Sequence, residues 1–429
     1  MISVISATPH GSDPARAAVD LAFWHLLKRY GLDEEVRFLR AYSIEEARAV
    51  RGDEPTNRAR LPFEHGSLRD QFDSVLDSDA IVLWGDGLHG RAHQDQLATV
   101  MIDLGAAASR DEAIRLVRRL TMLAGSSEDV LSRVILAGGG LLFNRASDYA
   151  DEDYRDSLTR LARGAHAHLM RDLHSAWRIA ELRGEAGFAP GVDPVALLTP
   201  DAIEGLDRTE YSDADPRGRI GLFFGRSYGE LEGVGTFIRI LGRHLDREVE
   251  WLAWGRTPYF RNCKKTIRPE FRGMKKRMKK VRPTLGDLLH LVGRYDLILT
   301  DTYDVAVHAW RSGVPAVCVA DTRPRRGSDP SCGHHLAWRD ERQLFYSTYD
   351  ALPFFVYRDE LQDPISRNQR IARLEDLLND GSEVLHVARQ LRDHASRAEA
   401  LLVKAIEERT GRKARPVGES PTGLSRLAT

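Results

Sequence analysis

The feature that most constrains this chain is a repeated alternation. Short runs of Val, Ile and Leu are each followed by glycine or polar residues and then by a longer amphipathic stretch. Short apolar runs suit strands buried on both faces of a parallel sheet, and the amphipathic stretches suit the crossover helices between them. In the first half the runs fall at Ile2–Ser6, Ala80–Trp84, Val134–Ala137 and 167–170. Ala17, Leu21, Trp24 and Leu27 recur at helical spacing after the first run, and Ala113, Leu116, Leu120 and Leu123 after a later one.

Residues 199–219, TPDAIEGLDRTEYSDADPRGR, break the alternation. They are acidic, turn-rich and without apolar periodicity, so they read as a linker. A second series then opens, with strands predicted at 220–224, 249–253, 296–300 and 315–320 and a short helix at 305–312. The expected fold is α/β. It has an N-terminal Rossmann-like domain at 1–205, a C-terminal one at 217–365, helices at 366–410 packing across both, and a disordered tail at 411–429. In such folds ligands bind beyond the carboxyl ends of the strands, so the loops directly after the strands are where chemistry is sought.

Charge and cysteine usage narrow the function. With a net charge of −1, no global field recruits nucleic acid or a membrane. The three cysteines, Cys263, Cys318 and Cys332, show no CxxC spacing, which argues against a disulfide framework and a zinc site. The opening MISVISATPHGSD lacks the charged and apolar regions of a signal peptide, and no apolar stretch reaches membrane-span length. The expected location is the cytoplasm.

Five loops carry candidate chemistry. WGDGLHG at 84–90 places Asp86 and His89 three residues apart between glycines, a pair suited to acid/base work. AGGGLLFN at 137–144 contains Gly138 and Gly139, whose backbone can approach an anion closely. Arg171 follows the 167–170 run, where a guanidinium suits a phosphate or carboxylate. In FFGRSYGE at 223–230, Arg226 and Ser227 repeat that logic. The loop 256–282 holds twelve Lys and Arg residues, among them Lys264, Lys265, Lys275, Lys276 and Arg277, against Glu270 alone. It suits a diphosphate-linked acceptor or peripheral contact with an anionic membrane surface. Tyr259 and Phe271 are too sparse for single-strand stacking, so nucleic acid is not expected.

The string YDLILTDTYDVAVHAWRSGVPAVCVAD at 295–321 resembles the carboxy-terminal signature of the polysaccharide pyruvyl transferase family. The Asp86 loop, AGGGLLFN, RDLHSAWRIAELRG, VDPVALL, FFGRS and DERQLFYSTYD follow in matching order. The resemblance implies a fold like that of GT-B glycosyltransferases. It also implies transfer of a pyruvyl group from phosphoenolpyruvate to a sugar or carrier-linked glycan, with no metal or organic cofactor. Arg171, Arg226 and the basic loop would then hold the donor, and Asp86 and His89 would move protons. At the turn 301–304 this chain departs from the family. Asp304 stands where the resemblance calls for histidine, and His308 lies one helical turn further on. That departure keeps two alternatives in view: a GT-B-type glycosyltransferase using a nucleotide sugar, and a family member that binds without performing pyruvyl transfer.

Overall fold

The computed structural model describes residues 1–6, 14–43, 46, 61–189, 191–209, 215–224, 233–251, 254, 275–276, 284–320 and 340–415. They form two sheets of six strands. The first comprises β1 (Ile2–Ser6), β2 (Val36–Arg40), β3 (His65–Ser67), β4 (Ala80–Trp84), β5 (Val134–Ala137) and β6 (Ala167–Leu169), in the order β3-β2-β1-β4-β5-β6. The second comprises β7 (Arg219–Phe223), β8 (Glu248–Trp251), β9 (Lys275–Lys276), β10 (Leu297–Thr300), β11 (Ala316–Ala320) and β12 (Phe355–Tyr357). Its order is β9-β8-β7-β10-β11-β12, the same winding as the first. Every pairing in both sheets is parallel. The winding reverses between β1 and β4 and again between β7 and β10, and in open sheets of this kind ligands bind in the crevice at that reversal.

Side-chain alternation explains why the strand runs are mostly apolar on both faces. Ile2, Val4, Ala80, Val82 and Trp84 face one core, while Ile5, Ile81 and Leu83 face another. Successive residues of a strand point to opposite faces, and here both faces are covered. The second of these cores stays within the first half. The first runs on through Ile220, Leu288, Val305 and Trp310 into the C-terminal helices, so the two halves share a hydrophobic core.

Those helices are Pro364–Asp380, capped by the Asp363 carboxylate on the Ser366 amide, and Ser382–Thr410. Gly381 between them takes φ +68°, a left-handed turn that glycine adopts without strain. Leu391, Ala395, Ala398, Leu402 and Ile406 recur at three- and four-residue intervals and are buried. The Ser382–Thr410 helix packs on β4, β5 and β6 and on the Tyr303–Arg311 helix of the second half, so it spans both. Glu399 on it accepts from the Tyr30 hydroxyl at 2.6 Å and pairs with Arg29, while His394 Nδ1 lies 2.9 Å from the Tyr349 hydroxyl.

Several expectations need correction. The strands β2, β3, β9 and β12 were not anticipated. Three of them are two or three residues long, and VRFLR in β2 is interrupted by arginine, so none forms a long apolar run. Lys275 and Lys276, expected in a basic loop, form the edge strand β9, paired with Glu250 and Trp251 of β8. The expected linker contains a helix, Pro200–Glu204, capped by Thr199. The short helix expected at 305–312 begins earlier, at Tyr303. In the expected tail, the Arg415 amide donates to the Tyr30 carbonyl at 3.0 Å and Arg412 pairs with Glu35. Among the described residues no helix is long and apolar enough to cross a membrane.

Candidate active site

At the end of β4 the chain turns through Gly85 and Gly87, with φ +78° and +89°, and Asp86 projects between them. The β5–β6 pairing continues past the strand ends. The Gly138 amide donates to the Leu169 carbonyl at 2.8 Å, and the Arg171 amide to the Gly139 carbonyl at 2.9 Å. This places the glycine loop beside Arg171. Gly140 is a point of close approach, because a Cβ there would lie 2.9 Å from Asp86 Oδ1.

Arg171 is the hub of the site. Its Nη1 lies 3.1 Å from Asp86 Oδ2 in its own half, and its Nη2 lies 3.4 Å from Glu341 Oε2 in the other. Its guanidinium carbon stands 5.2 Å over the Tyr303 ring. The Tyr303 hydroxyl in turn donates to Asp193 Oδ2 at 2.9 Å, a second polar link between the halves. Arg342, next to Glu341, is paired with Asp340 and donates to the Asp301 carbonyl at 2.7 Å. The Asp86 loop and the turn at 301–304 therefore meet at one junction.

Burial and charge act against each other here. Burial alone raises the Asp86 carboxyl, but Arg171, His93, the Gly87 amide and Arg16 outweigh it and hold it below the usual range. Burial opposes the charge on Arg171, yet Asp86, Tyr303, Glu341 and Asp193 keep its pKa well above the ordinary value. Asp193 moves the other way. Burial, reinforced by Asp86, raises its carboxyl despite Arg171, the Val195 amide and the Tyr303 hydroxyl. Tyr303 is raised well above its ordinary value, by burial first and Asp193 second.

The other expected residues fall in different places. His89 is buried, and neither ring nitrogen has a hydrogen-bond partner. Burial depresses its pKa to about 4 against the pull of Asp86, so at neutral pH the ring is uncharged. Gly139 and Gly138 serve packing: a Cβ on Gly139 would lie 3.0 Å from His89 Nδ1, and one on Gly138 would lie 2.3 Å from Pro194 Cγ. Asp304 lies in the first turn of the Tyr303–Arg311 helix, half-buried. His308, one turn on, sits in the core against Trp254, with ring centroids 5.1 Å apart. Burial, reinforced by Arg311, takes its pKa well below the usual value. Its neighbours are Trp254 and Arg311. Arg226, Ser227, Lys264, Lys265 and Arg277 lie outside the described residues, as do the side chains of Lys275 and Lys276.

Sequence reasoning missed three members of the junction: Asp193, Tyr303 and Glu341. Each lies within a string already singled out, VDPVALL, DTYD or DERQLFYSTYD. Glu341 and Arg171 are 170 positions apart, and no local spacing pairs them.

Sheet order and site together define a class: two Rossmann-like halves in a GT-B-like arrangement, bridged by C-terminal helices, with the site between the carboxyl ends of their strands. No family model matches the sequence, and no curated protein sequence matches it. Among solved structures the chain is similar to a Listeria monocytogenes protein assigned as a UDP-N-acetylglucosamine 2-epimerase. The identity is 12% and the TM-score 0.50, over 97% of this chain and 99% of that one. The UDP-GlcNAc 2-epimerase of Neisseria meningitidis bound to UDP-GlcNAc aligns at 10% identity and TM-score 0.48, over 95% and 99%. Glycyrrhiza uralensis UGT73P12 complexed with glycyrrhetinic acid 3-O-monoglucuronide aligns at 11% and 0.45, over 95% and 96%. At these identities the likeness is one of fold.

Proposed function

We propose that the chain is a GT-B-type enzyme, a transferase that takes a nucleotide sugar, with the sugar end of the donor held at the Arg171 junction. Fold alone does not carry function, so the reading rests on the chemistry of the junction. The observation that carries it is the pairing of Arg171 with two carboxylates, Asp86 and Glu341, with Asp193 also close by. Arg342 is likewise paired, with Asp340. A guanidinium held between two carboxylates has little positive field left for a small trianion such as phosphoenolpyruvate. Carboxylates are strong acceptors for the hydroxyls of a sugar. The pyruvyl transfer implied by the sequence resemblance asks for free cations at this point, and it is the weaker reading for that reason.

A thermal-shift and calorimetry panel of UDP, UDP-N-acetylglucosamine, UDP-glucose and phosphoenolpyruvate tests the proposal. A ligand present at a hundred times its Kd stabilises the native state by about 2.7 kcal/mol, a readable rise in Tm. UDP-sugars are expected to raise the Tm and phosphoenolpyruvate to leave it unchanged. The reverse pattern restores pyruvyl transfer and rejects the nucleotide sugar.

A further inference from the structure

The loop after β4 and the helix it opens carry three groups able to take up a proton: Asp86, His89 and His93. Two of them are committed. Asp86 is paired with Arg171, and the charges around it hold its carboxyl below the usual range, which makes it a weak base. His89 is sealed, with both ring nitrogens buried. His93 differs from both. It is half-buried, its ring nitrogens are not among the sealed polar atoms, and neither has a hydrogen-bond partner among the described residues.

Local structure brings His93 to the Arg171 junction. The helix Arg91–Asp103 starts at Gly90, whose carbonyl accepts from the His93 amide at 3.1 Å. Asn144 Oδ1 accepts from the Arg91 amide at 2.9 Å and ties this first turn to the glycine loop at 137–144. Gly90 leaves room for the ring: a Cβ there would lie 3.2 Å from His93 Nδ1 and 3.9 Å from the Gly140 carbonyl oxygen. Gly140 in turn is where a Cβ would lie 2.9 Å from Asp86 Oδ1 and 3.2 Å from Arg171 Nη2. The same short stretch of backbone therefore separates His93 from both Asp86 and Arg171. The helix of His93 follows β4, and Arg16, in the first turn of the helix Pro14–Arg29, follows β1. The two side chains belong to the elements that flank the reversal of the winding, where ligands bind in such sheets.

The charges that act on His93 come from both halves. Burial lowers its pKa, Asp86 raises it, Arg16 and Arg171 lower it, and Glu341 of the second half raises it. The balance lies below the ordinary value, so at neutral pH the ring is uncharged and one nitrogen keeps its lone pair. A neutral imidazole with an uncommitted nitrogen beside a sugar site is suited to take a hydroxyl proton.

We propose that His93 is the general base for the hydroxyl that attacks the donor sugar in the cleft. This rests on the nucleotide-sugar reading above. The hydroxyl proton passes to the unprotonated ring nitrogen while the acceptor oxygen bonds to the anomeric carbon. The bond from that carbon to the diphosphate oxygen breaks, and its electron pair leaves with the nucleoside diphosphate. The imidazolium then returns its proton to water. Water in place of the acceptor gives hydrolysis by the same route.

The test uses the full-length protein with UDP-N-acetylglucosamine as the probe. Diethyl pyrocarbonate, mapped by mass spectrometry, should modify His93 well before the sealed His89 and His308. Probe at a hundred times its Kd leaves about 1% of the protein free, so it should slow that modification by up to about a hundredfold. In an NMR titration the His93 midpoint should fall in Asp86→Asn, because the carboxylate favours the imidazolium. With water as the acceptor, His93→Gln should lower kcat for UDP release by roughly a hundredfold or more, with KM nearly unchanged. Wild-type UDP release by His93→Gln, in a variant whose circular dichroism is unchanged, overturns the proposal. So does a His93 that bound probe fails to protect, or a midpoint that Asp86→Asn leaves in place. A wild type that binds no UDP-sugar overturns the nucleotide-sugar reading and the base with it.

Discussion

Arg171 and Glu341 hold the two halves of this protein to one another: the Arg171 Nη2 lies 3.4 Å from the Glu341 Oε2, and both side chains are 7% exposed. Asp86 completes the arrangement from the other side of the guanidinium at 3.1 Å. The junction is therefore both the floor of the candidate site and a polar tie between the two halves.

Removing the cation alone should be costly. Arg171→Ala leaves Asp86, Glu341 and Asp193 together without their shared partner, and breaking a buried pair in this way costs about 3–5 kcal/mol. Adding Glu341→Gln to that variant should recover part of the loss, since one unpaired charge goes with it. Urea unfolding of the two variants checks both statements. A loss below about 1 kcal/mol for Arg171→Ala would mean that the junction is solvated.

Acid should act on His89. Its folded pKa is depressed to about 4, so the unfolded chain takes up a proton more readily. Its contribution to stability is complete above the ordinary histidine pKa near 6.5 and is lost as pH falls through that value towards 4. By pH 4.5 the loss is about 2.5 kcal/mol. His89→Gln should flatten the acid limb by that amount in denaturant unfolding at pH 7 and pH 4.5. An unchanged slope would mean that the ring is protonated in the folded state.

The glycine loop predicts a contrast between two substitutions. Gly138 and Gly105 have similar φ values, +70° and +67°, but a Cβ at Gly138 meets Pro194 at 2.3 Å while one at Gly105 meets nothing within 4 Å. Gly105→Ala should cost about 1–2 kcal/mol, the left-handed backbone term alone. Gly138→Ala should cost more by about 1–3 kcal/mol, the usual range for overpacking. Equal midpoints in chemical denaturation would mean that Pro194 moves aside freely.

His308 should behave as a core residue. Both its ring nitrogens are buried without partners, so His308→Leu removes two unsatisfied polar atoms at similar volume. Stability is expected to hold or rise by about 1 kcal/mol, and UDP-sugar binding to be unaffected. A variant that folds and binds no UDP-sugar would return His308 to the site.

Much of the architecture is legible in the sequence because it is local. The runs at Ile2–Ser6, Ala80–Trp84 and Val134–Ala137 are strands at those bounds, since burial on both sheet faces favours apolar residues at successive positions. The positions of Asp86 and Arg171 directly after strands likewise follow from local pattern. The short edge strands β3, β9 and β12 do not, because two or three residues paired on one side need no apolar run. Whom each side chain meets is not local either. That Arg171 finds Glu341, that Tyr303 finds Asp193, that Asp20 gathers Ser6, Arg40 and His65, and that His308 turns into the core against Trp254 all depend on how two sheets and a bridging helix pack. Sequence determined the periodicities that make strands and helices and the charges placed at their ends. Tertiary structure alone decided which charges meet, because distance and burial, not spacing along the chain, set the strength of an ion pair and the protonation of a buried group.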